Sequence, residues 1–344
     1  MHIRFERQPQ ASHAKAVVSL QYSADGRLLA TASADKKAHV LDTTTGEVVQ
    51  VFEGEHQLGL NDCAWIDQHL LVTVSDDRLV KVWDLPQGKV LTTFKAAQSM
   101  VYSVCVDPAN RCILCGCTDG SVIIHHLSLR EPLASFVAQG DPVVSVGVHP
   151  LGGELLTAGQ DGLVRLWDSG NVGMCTKTVV VNHDVSHSTP IACASYSPNG
   201  DYVLASSLNS SHRLIPLRDQ PPQSRSQSQS QSQGPSHSHS SASASARVRV
   251  RASGSGCFSY TGHRNEKYSV QSQVYSNTHG DYILSGSEDG KAYMWDLNSK
   301  QVTTTQSDGH DDAVLATAVN PLSCTQFATG SLDGAVKFWR LFDS

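Results

Sequence analysis

A pattern that recurs about every 42 residues constrains the fold of this chain more than any other feature. Three stretches end in a Trp-Asp pair and a fourth carries a Trp alone: VTVSDDRLVKVWDL, LTAGQDGLVRLWDS, LSGSEDGKAYMWDL and ATGSLDGAVKFWRL. In each stretch an Asp lies six positions before the Trp. The same spacing finds three degenerate copies, in which Leu41, His125 and Ile215 take the place of the Trp. Seven copies at this spacing are typical of a β-propeller, in which each repeat forms one blade of four strands.

The segments between these copies read as strands and turns. Val-rich runs such as VVSLQYS and VVSVGVHP alternate with turn signals such as Ser-Ala-Asp-Gly and Ser-Pro-Asn-Gly. Because no stretch shows a convincing 3.6-residue periodicity with caps, we expect almost no helix. The sequence therefore predicts an all-β fold, a single seven-bladed β-propeller over residues 1–344.

The two ends of the chain indicate how the ring closes. Only five residues follow Trp339, too few for another strand and its turn, so the last blade must take its fourth strand from elsewhere. Residues 3–8 are strand-like and precede the first repeat. We predict that this N-terminal strand pairs into the last blade, which closes the ring and removes the free sheet edges.

One repeat contains a long insertion. Residues 220–256 read QPPQSRSQSQSQSQGPSHSHSSASASARVRVRASGSG, which is rich in Ser and Gln. Such a composition cannot bury enough apolar surface to offset the entropy of ordering. We expect a disordered low-complexity loop between the third and fourth strands of blade five, where its length costs little closure entropy.

Charge and composition exclude several classes of protein. The chain carries −6 overall and the segment between residues 220 and 265 carries +5, so the remainder carries −11. This balance disfavours a dedicated nucleic-acid binder, and an acidic body is a plausible docking surface for basic partners, although many acidic surfaces serve solubility alone. No apolar run is long enough to span a membrane, and nine irregularly spaced cysteines favour a reducing, intracellular compartment.

We find no catalytic or metal-binding pattern. Cys112, Cys115 and Cys117 lie along one predicted strand, where Cys112 and Cys115 point to opposite faces, so they do not form a zinc site. No phosphate-binding glycine loop or nucleophile elbow occurs. The chain is therefore predicted to be no enzyme and to need no metal or other cofactor.

The Trp-Asp endings, the Gly-His pairs at 262–263 and 309–310 and the Asp-to-Trp spacing resemble the WD40 family. In that family an Asp, a His, a Ser or Thr and a Trp form a hydrogen-bonded network within each blade. The resemblance implies complete structural sets in blades two, six and seven: His56, Asp77 and Trp83; His263, Asp289 and Trp295; His310, Asp333 and Trp339. Blades three and five have lost the set and are expected to be the least stable.

Several phrases are more specific, above all YTGHRNEKYSV, with HQLGLNDCAW and SPNGDYVLA. They resemble the WD-repeat core subunit of MLL/COMPASS-type histone H3 lysine-four methyltransferase complexes. The resemblance implies a non-catalytic, nuclear scaffold. Its implied partners are a SET-domain methyltransferase subunit, a second WD-repeat core subunit and the histone H3 tail, with no direct contact to nucleic acid or membrane.

The resemblance also implies a central pocket that takes an arginine from a partner peptide between two aromatic rings. The matching positions are Tyr102, which keeps a ring, and Gln271, which does not. A desolvated cation–π contact contributes about 1–2 kcal/mol, so losing one ring weakens arginine binding about 5–30-fold. The implied pocket residues are Ala34, Asn61, Asp62, Asp76, Tyr102, Val144, Tyr268, Ser269 and Gln271. Tyr102 also fits the plainer role of an inward-facing strand aromatic.

A second implied site is a cleft on the opposite face, between blades five and six, for an acidic and hydrophobic tail of the second core subunit. Its matching positions are Asn199, Tyr202, Leu214, Val274, Ser276 and Asn298. We expect Tyr202→Glu to release that subunit and leave the fold intact, unless Tyr202 is a packing residue. The insertion lies on the same face, where its arginines hold the acidic tail or the loop is inert.

A broader function remains open beside this one. A WD40 propeller also serves as a general adaptor in RNA processing, signalling or ubiquitin ligation, because the fold alone does not determine the partner. The phrase at 264–268 favours the methyltransferase complex, whereas Gln271 does not.

Overall fold

The repeats fold into seven antiparallel sheets of four strands each. The computed structural model describes residues 2–9, 12–96, 99–182, 189–217, 257–305 and 309–342. These residues form no helix, and so no helix that is able to cross a membrane. The expected all-β, seven-bladed propeller is confirmed.

The strand bounds follow the repeat. Blade one contains β2 (Val17–Tyr22), β3 (Leu28–Ser33), β4 (Ala38–Asp42) and β5 (Val48–Phe52), and blade two contains β6 (Leu60–Trp65), β7 (Leu70–Ser75), β8 (Leu79–Asp84) and β9 (Lys89–Lys95). Blade three contains β10 (Val101–Asp107), β11 (Cys112–Cys117), β12 (Ser121–His126) and β13 (Ala134–Val137), and blade four contains β14 (Val143–Val148), β15 (Glu154–Gly159), β16 (Leu163–Asp168) and β17 (Cys175–Val180). Blade five contains β18 (Ile191–Tyr196), β19 (Tyr202–Ser207), β20 (Ser211–Pro216) and β21 (Phe258–Thr261), and blade six contains β22 (Ser272–Asn277), β23 (Gly280–Ser285), β24 (Tyr293–Asp296) and β25 (Val302–Thr305). Blade seven contains β26 (Val314–Val319), β27 (Gln326–Ser331), β28 (Val336–Phe342) and β1 (His2–Arg7).

The N-terminal strand closes the ring as expected. β1 pairs antiparallel with β28, so that Ile3 lies opposite Leu341 and Phe5 opposite Trp339. The Phe5 ring meets the Trp339 indole edge-on, with centroids 5.5 Å apart. Blade seven is thereby built from both ends of the described chain.

The insertion position is also as expected. The third strand of blade five ends at Pro216 and the fourth begins at Phe258, so the intervening segment joins these two strands. The predicted loop at 220–256 itself lies outside the described residues.

The core lies between neighbouring blades. The innermost strands contact one another in ring order, and each apolar cluster joins residues of adjacent sheets. Gly330 shows how close the blades come, because a Cβ on this residue would lie 2.6 Å from Cγ1 of Val17 in blade one. A side chain at this position would therefore force the first and last blades apart.

Two of the three predicted structural networks are assembled. In blade two, His56 Nδ1–H donates to Asp77 at 2.8 Å, and the indole N–H of Trp83 donates to Thr73 Oγ1 at 2.8 Å. The Thr73 hydroxyl donates in turn to His56 Nε2 at 2.9 Å. In blade seven the same connections join His310, Asp333, Thr329 and Trp339. These chains satisfy polar groups that the core would otherwise leave without partners.

The predicted network of blade six is wrong as a hydrogen-bonded chain. Neither ring nitrogen of His263 has a partner among the described residues, and Trp295 donates to the carbonyl of Thr261 instead. Asp289 accepts from the Tyr293 hydroxyl. The physical reason is Ser285, which holds the position of Thr73 but donates to the backbone carbonyl of Gly286. His263 stacks on a second buried histidine, His212, at 4.1 Å.

Blade one contains a network that the sequence analysis missed. His13 Nδ1–H donates to Asp35 at 2.9 Å, and the Thr31 hydroxyl meets His13 Nε2 at 2.7 Å, although Leu41 replaces the Trp. The available signal was His13 itself, which precedes Asp35 by 22 residues, as His56 precedes Asp77 by 21. The predicted sets all contain the register Trp, and blade one has Leu41 at that position.

Candidate binding site in the central channel

The seven innermost strands surround a central channel with a volume of about 410 Å³. We call the face that carries the second-to-third-strand turns the upper face, and the face that carries the first-to-second and third-to-fourth-strand loops the lower face. Six of the nine residues predicted for the arginine pocket line this channel: Asn61, Asp62, Tyr102, Val144, Ser269 and Gln271. The other three, Ala34, Asp76 and Tyr268, are not among the described residues that line it.

Asp62 places a carboxylate in the channel wall. Its Oδ1 accepts from the Ser19 hydroxyl at 2.6 Å, and its Oδ2 accepts from the backbone N–H of Val104 at 2.9 Å, so that it links blades one, two and three. Burial raises the pKa of Asp62 to about 6, although these hydrogen bonds oppose the shift. Among the described residues lining the channel none is Lys, Arg or His, so the carboxylate has no cationic partner there.

Gln271 connects to the same carboxylate from the other side of the ring. Its side-chain amide donates to Ser19 Oγ at 3.1 Å, and Ser19 donates to Asp62. This relay runs from blade six to blades one and two. The second aromatic ring of the implied pocket is therefore replaced by an amide that holds a hydrogen bond within the channel.

Tyr102 supplies one of the two aromatic rings of the implied arginine pocket. Its side chain is half-buried, packs against the apolar cluster that contains Val144 and Ile191, and lines the channel. Its hydroxyl lies 3.2 Å from Ser269 Oγ, in the loop that enters blade six. The two predicted residues Tyr102 and Ser269 thus meet, although 167 positions separate them.

The three remaining pocket residues, Ala34, Asp76 and Tyr268, lie near the upper end of the innermost strands, and Tyr268 belongs to the loop described below. Asp76 accepts from the Asn61 side-chain amide at 2.7 Å, and Asn61 also donates to the carbonyl of Val101. Ala34 packs against Gly59, whose Cβ would lie 3.2 Å from Ala34 Cα. Asp76 and Asn61 therefore form a second polar pair beside the channel.

The RNEKY phrase at 264–268 forms a loop that is organised by Glu288. Its Oε1 accepts from three consecutive backbone N–H groups, those of Glu266, Lys267 and Tyr268, at 2.6–3.0 Å. Burial alone would raise the pKa of Glu288, but these amides hold it below its ordinary value. Glu288 is not among the residues predicted from the sequence, although the repeat places it directly before Asp289 on the second-to-third-strand turn.

The predicted lower-face cleft is filled by its own side chains. Tyr202, Leu214 and Val274 are at most 5% exposed and belong to the core cluster that contains Trp295. Asn199 and Ser276 are partly buried, and only Asn298 is exposed. A partner tail could reach the three apolar residues only if blades five and six separated, so the prediction that Tyr202 anchors a tail at the surface does not match this structure.

Comparison with known proteins identifies the repeat family. The family model "WD domain, G-beta repeat" matches seven segments, at residues 7–42, 46–84, 88–126, 130–168, 175–215, 254–296 and 300–340. These segments correspond to the seven blades.

Similar individual proteins cover only part of the chain. Denticleless protein homolog A of Xenopus laevis is 32% identical over 82 residues, which is 24% of this chain and 11% of that protein. The WD repeat-containing protein WDS homolog of Arabidopsis thaliana is 31% identical over 80 residues, 23% of this chain and 15% of that protein. WD repeat domain-containing protein 83 of Rattus norvegicus is 25% identical over 188 residues, 54% of this chain and 44% of that protein. The chain therefore spans less than half the length of each of these relatives.

Proposed function

The chain belongs to the WD40 repeat family, and we propose that it is a non-catalytic adaptor whose central channel takes a cationic side chain from a partner protein. The observation that carries this proposal is the Asp62 carboxylate, which lies half-buried in the channel wall without a cationic partner among the described residues. An ionised carboxylate in such a place is costly, and a guest cation offsets that cost.

Besides a negative charge, the channel offers a guanidinium group hydrogen-bond acceptors and an aromatic face. Asp62 uses its oxygens for Ser19 and backbone amides, but a carboxylate accepts up to about four hydrogen bonds. The Gln271 amide donates through Nε2, which leaves its oxygen to accept from a guest. Tyr102 supplies one aromatic face. These groups favour a planar, multiply donating cation such as arginine, bound more weakly than between two rings.

The finer proposal concerns the complex in which the adaptor works. We propose a histone H3 lysine-four methyltransferase complex, in which the channel receives an arginine of the SET-domain subunit or of the histone H3 tail, a second WD-repeat core subunit binds elsewhere, and the site of action is the nucleus. The support is the resemblance of the phrase at 264–268, whose backbone is held by Glu288. The broader alternative is an adaptor in RNA processing, signalling or ubiquitin ligation.

A peptide titration tests the channel. We expect a fluorescein-labelled peptide with one central arginine to bind at least tenfold more tightly than the same peptide with neutral citrulline. Asp62→Asn should weaken the arginine peptide at least tenfold, because it removes the charge, and Tyr102→Ala should do the same, because it removes the ring. The measurement is fluorescence anisotropy.

Two matched variants make this titration specific. Asp67→Asn removes an exposed carboxylate of the same blade outside the channel, and Tyr102→Phe keeps the ring but loses the contact with Ser269. Both should bind within twofold of the wild type. Equal affinity for citrulline and arginine, or wild-type affinity in Asp62→Asn, would show that the channel is not the cation site.

Affinity purification of the tagged chain distinguishes the finer proposal from its alternative. Recovery of a SET-domain methyltransferase with another WD-repeat subunit would support the first. Recovery of spliceosomal, ligase or signalling proteins without a methyltransferase would reject it and leave the general adaptor.

A further inference from the structure

The upper mouth of the channel carries two exposed apolar side chains on one side. Of the fifteen large hydrophobic side chains that are exposed among the described residues, only Leu58 and Met100 lie in loops of the upper face. Leu58 is 49% exposed and Met100 is 44% exposed. Their loops lead into blades two and three, whose innermost strands contribute Asn61 and Tyr102 to the channel wall. Single exposed apolar residues are ordinary, so it is the position beside the channel that distinguishes these two.

Hydrogen bonds hold the two loops together next to the channel. The carbonyl of the residue after Leu58 accepts from the backbone N–H of Asp76 at 3.2 Å, and the Asp76 carboxylate accepts from the Asn61 amide at 2.7 Å. The same Asn61 amide donates to the carbonyl of Val101, the neighbour of Met100, at 2.9 Å. Leu58 and Met100 are therefore connected through a residue that lines the channel.

Met100 lies beside the aromatic ring that the proposed guest would meet. It precedes Tyr102 by two positions, and Val101 between them is fully buried in the core. Because side chains alternate along an extended chain, Met100 and Tyr102 point to the same side, about 7 Å apart along the chain. A guest peptide that lays its arginine against Tyr102 therefore brings one of the neighbouring residues over Met100.

The other described parts of the mouth are polar or charged. Lys15 precedes blade one, Asp141 precedes blade four and Asp312 precedes blade seven, and all three are exposed. At the entrance to blade six, the Lys267 ammonium covers the ring of Tyr268, with its nitrogen 4.9 Å from the ring centre. Among the described loops, those of blades two and three thus offer the apolar part of the mouth.

The carboxylates in the loop that carries Leu58 have partners within the chain. Glu53 pairs with Lys37 at 2.5 Å, and Glu55 pairs with Lys81 at 3.3 Å. The two apolar side chains therefore offer a guest the burial of apolar surface more than an attraction by charge.

We propose that the channel selects an arginine that has a large aliphatic residue, such as leucine or methionine, within two positions of it, and that this residue packs on Leu58 and Met100. The inference rests on the proposed function, because it needs the arginine to enter the channel, and it adds a requirement on the sequence beside that arginine. Burying the exposed parts of two apolar side chains strengthens binding about fivefold or more. The partner is therefore a protein segment that combines an arginine with a large aliphatic neighbour.

Three fluorescein-labelled peptides test this selection with the folded protein. Each has one central arginine in a Gly and Ser background, flanked by alanines, by two leucines before the arginine or by two leucines after it. We expect at least one leucine peptide to bind the wild type fivefold or more tightly than the alanine peptide, as measured by fluorescence anisotropy. Met100→Ser and Leu58→Ser should each reduce this preference, and the double variant should bring it within twofold. The affinity for the alanine peptide should stay within twofold in all of these variants.

Two control variants show whether the preference depends on these side chains. Met100→Leu keeps an apolar side chain and should keep the preference. Val137→Ser changes a valine that is 76% exposed on the outermost strand of the same blade, and it should leave the preference unchanged. Because all the substituted side chains are exposed, circular dichroism should show an unchanged fold.

The outcomes separate this inference from the proposed function. Equal affinity of the wild type for all three arginine peptides, with a citrulline version of the alanine peptide at least tenfold weaker, would overturn this inference and leave the channel function standing. A leucine preference that persists in the double variant would also overturn it. Equal binding of the arginine and citrulline peptides would overturn the proposed function and this inference with it.

Discussion

Tyr202→Glu is expected to destabilise the propeller strongly at neutral pH. The Tyr202 side chain is 2% exposed and packs in the cluster that joins blades five and six, together with Leu214 and Trp295. The substitution removes a large aromatic ring and brings a carboxylate into the core, which costs more than about 4 kcal/mol when the two effects combine. The free energy of unfolding of a native domain is about 5–15 kcal/mol, so the substitution would remove a large part of the stability. The free energy of unfolding is measured by urea denaturation, which is monitored by circular dichroism.

The matched control is Asn298→Glu. Asn298 belongs to the same predicted cleft but is exposed, so this variant should change the free energy of unfolding by no more than about 0.5 kcal/mol. If Tyr202→Glu unfolds at the wild-type urea concentration, the Tyr202 side chain is at the surface and the description of the blade five and six core is wrong.

The protein should lose stability progressively as the pH falls from 6.5 to 4. Burial lowers the pKa of His125, His263 and His310 to about 4 in each case. The unfolded chain then binds more protons than the folded chain, so stability falls as the pH falls, by about 3 kcal/mol for each histidine across this window. Asp62 acts in the opposite direction, because its raised pKa adds stability as the pH falls below about 6, but it is a single group.

One substitution isolates the contribution of a single histidine. The His125 ring stacks on Phe94 at 4.5 Å, and neither ring nitrogen has a partner among the described residues. His125→Phe should raise stability by about 1–2 kcal/mol at pH 7, because it removes buried unpartnered polar atoms, and should move the acid transition to lower pH. Circular dichroism between pH 8 and 3 is the measurement. A wild-type fold that persists unchanged at pH 4 would contradict the assigned burial of these histidines.

The repeat predicts the architecture because each blade needs the same local signals. An Asp or Asn six residues before the Trp83 register recurs in all seven blades, with a turn glycine after it in four, and the missing fourth strand of blade seven predicts the closure by β1. These features are local in the sequence, and each repeat contains them again, so the number of blades can be counted.

Side-chain networks and surfaces are less predictable because they depend on neighbouring blades. Ser285 and Thr73 occupy equivalent positions, but the serine hydroxyl turns to a backbone carbonyl and the blade six network does not form. The resemblance implies a surface cleft at Tyr202, but this residue lies in β19, a strand that is buried along its whole length, and it packs in the cluster that contains Trp295. Gln271 reaches Ser19 across 252 positions, a contact that no spacing in one repeat indicates.

The pH dependence of peptide affinity tests the central claim most directly. Between pH 8 and 5.5, where circular dichroism confirms the folded state, the affinity of the wild type for an arginine peptide without other titratable groups should fall about fourfold, because Asp62 becomes mostly protonated below its pKa of about 6. The affinity of Asp62→Asn should be weak and constant over the same range. An affinity that is independent of pH in the wild type, or that falls equally in both proteins, would contradict the account of Asp62 as the charge that receives the cation.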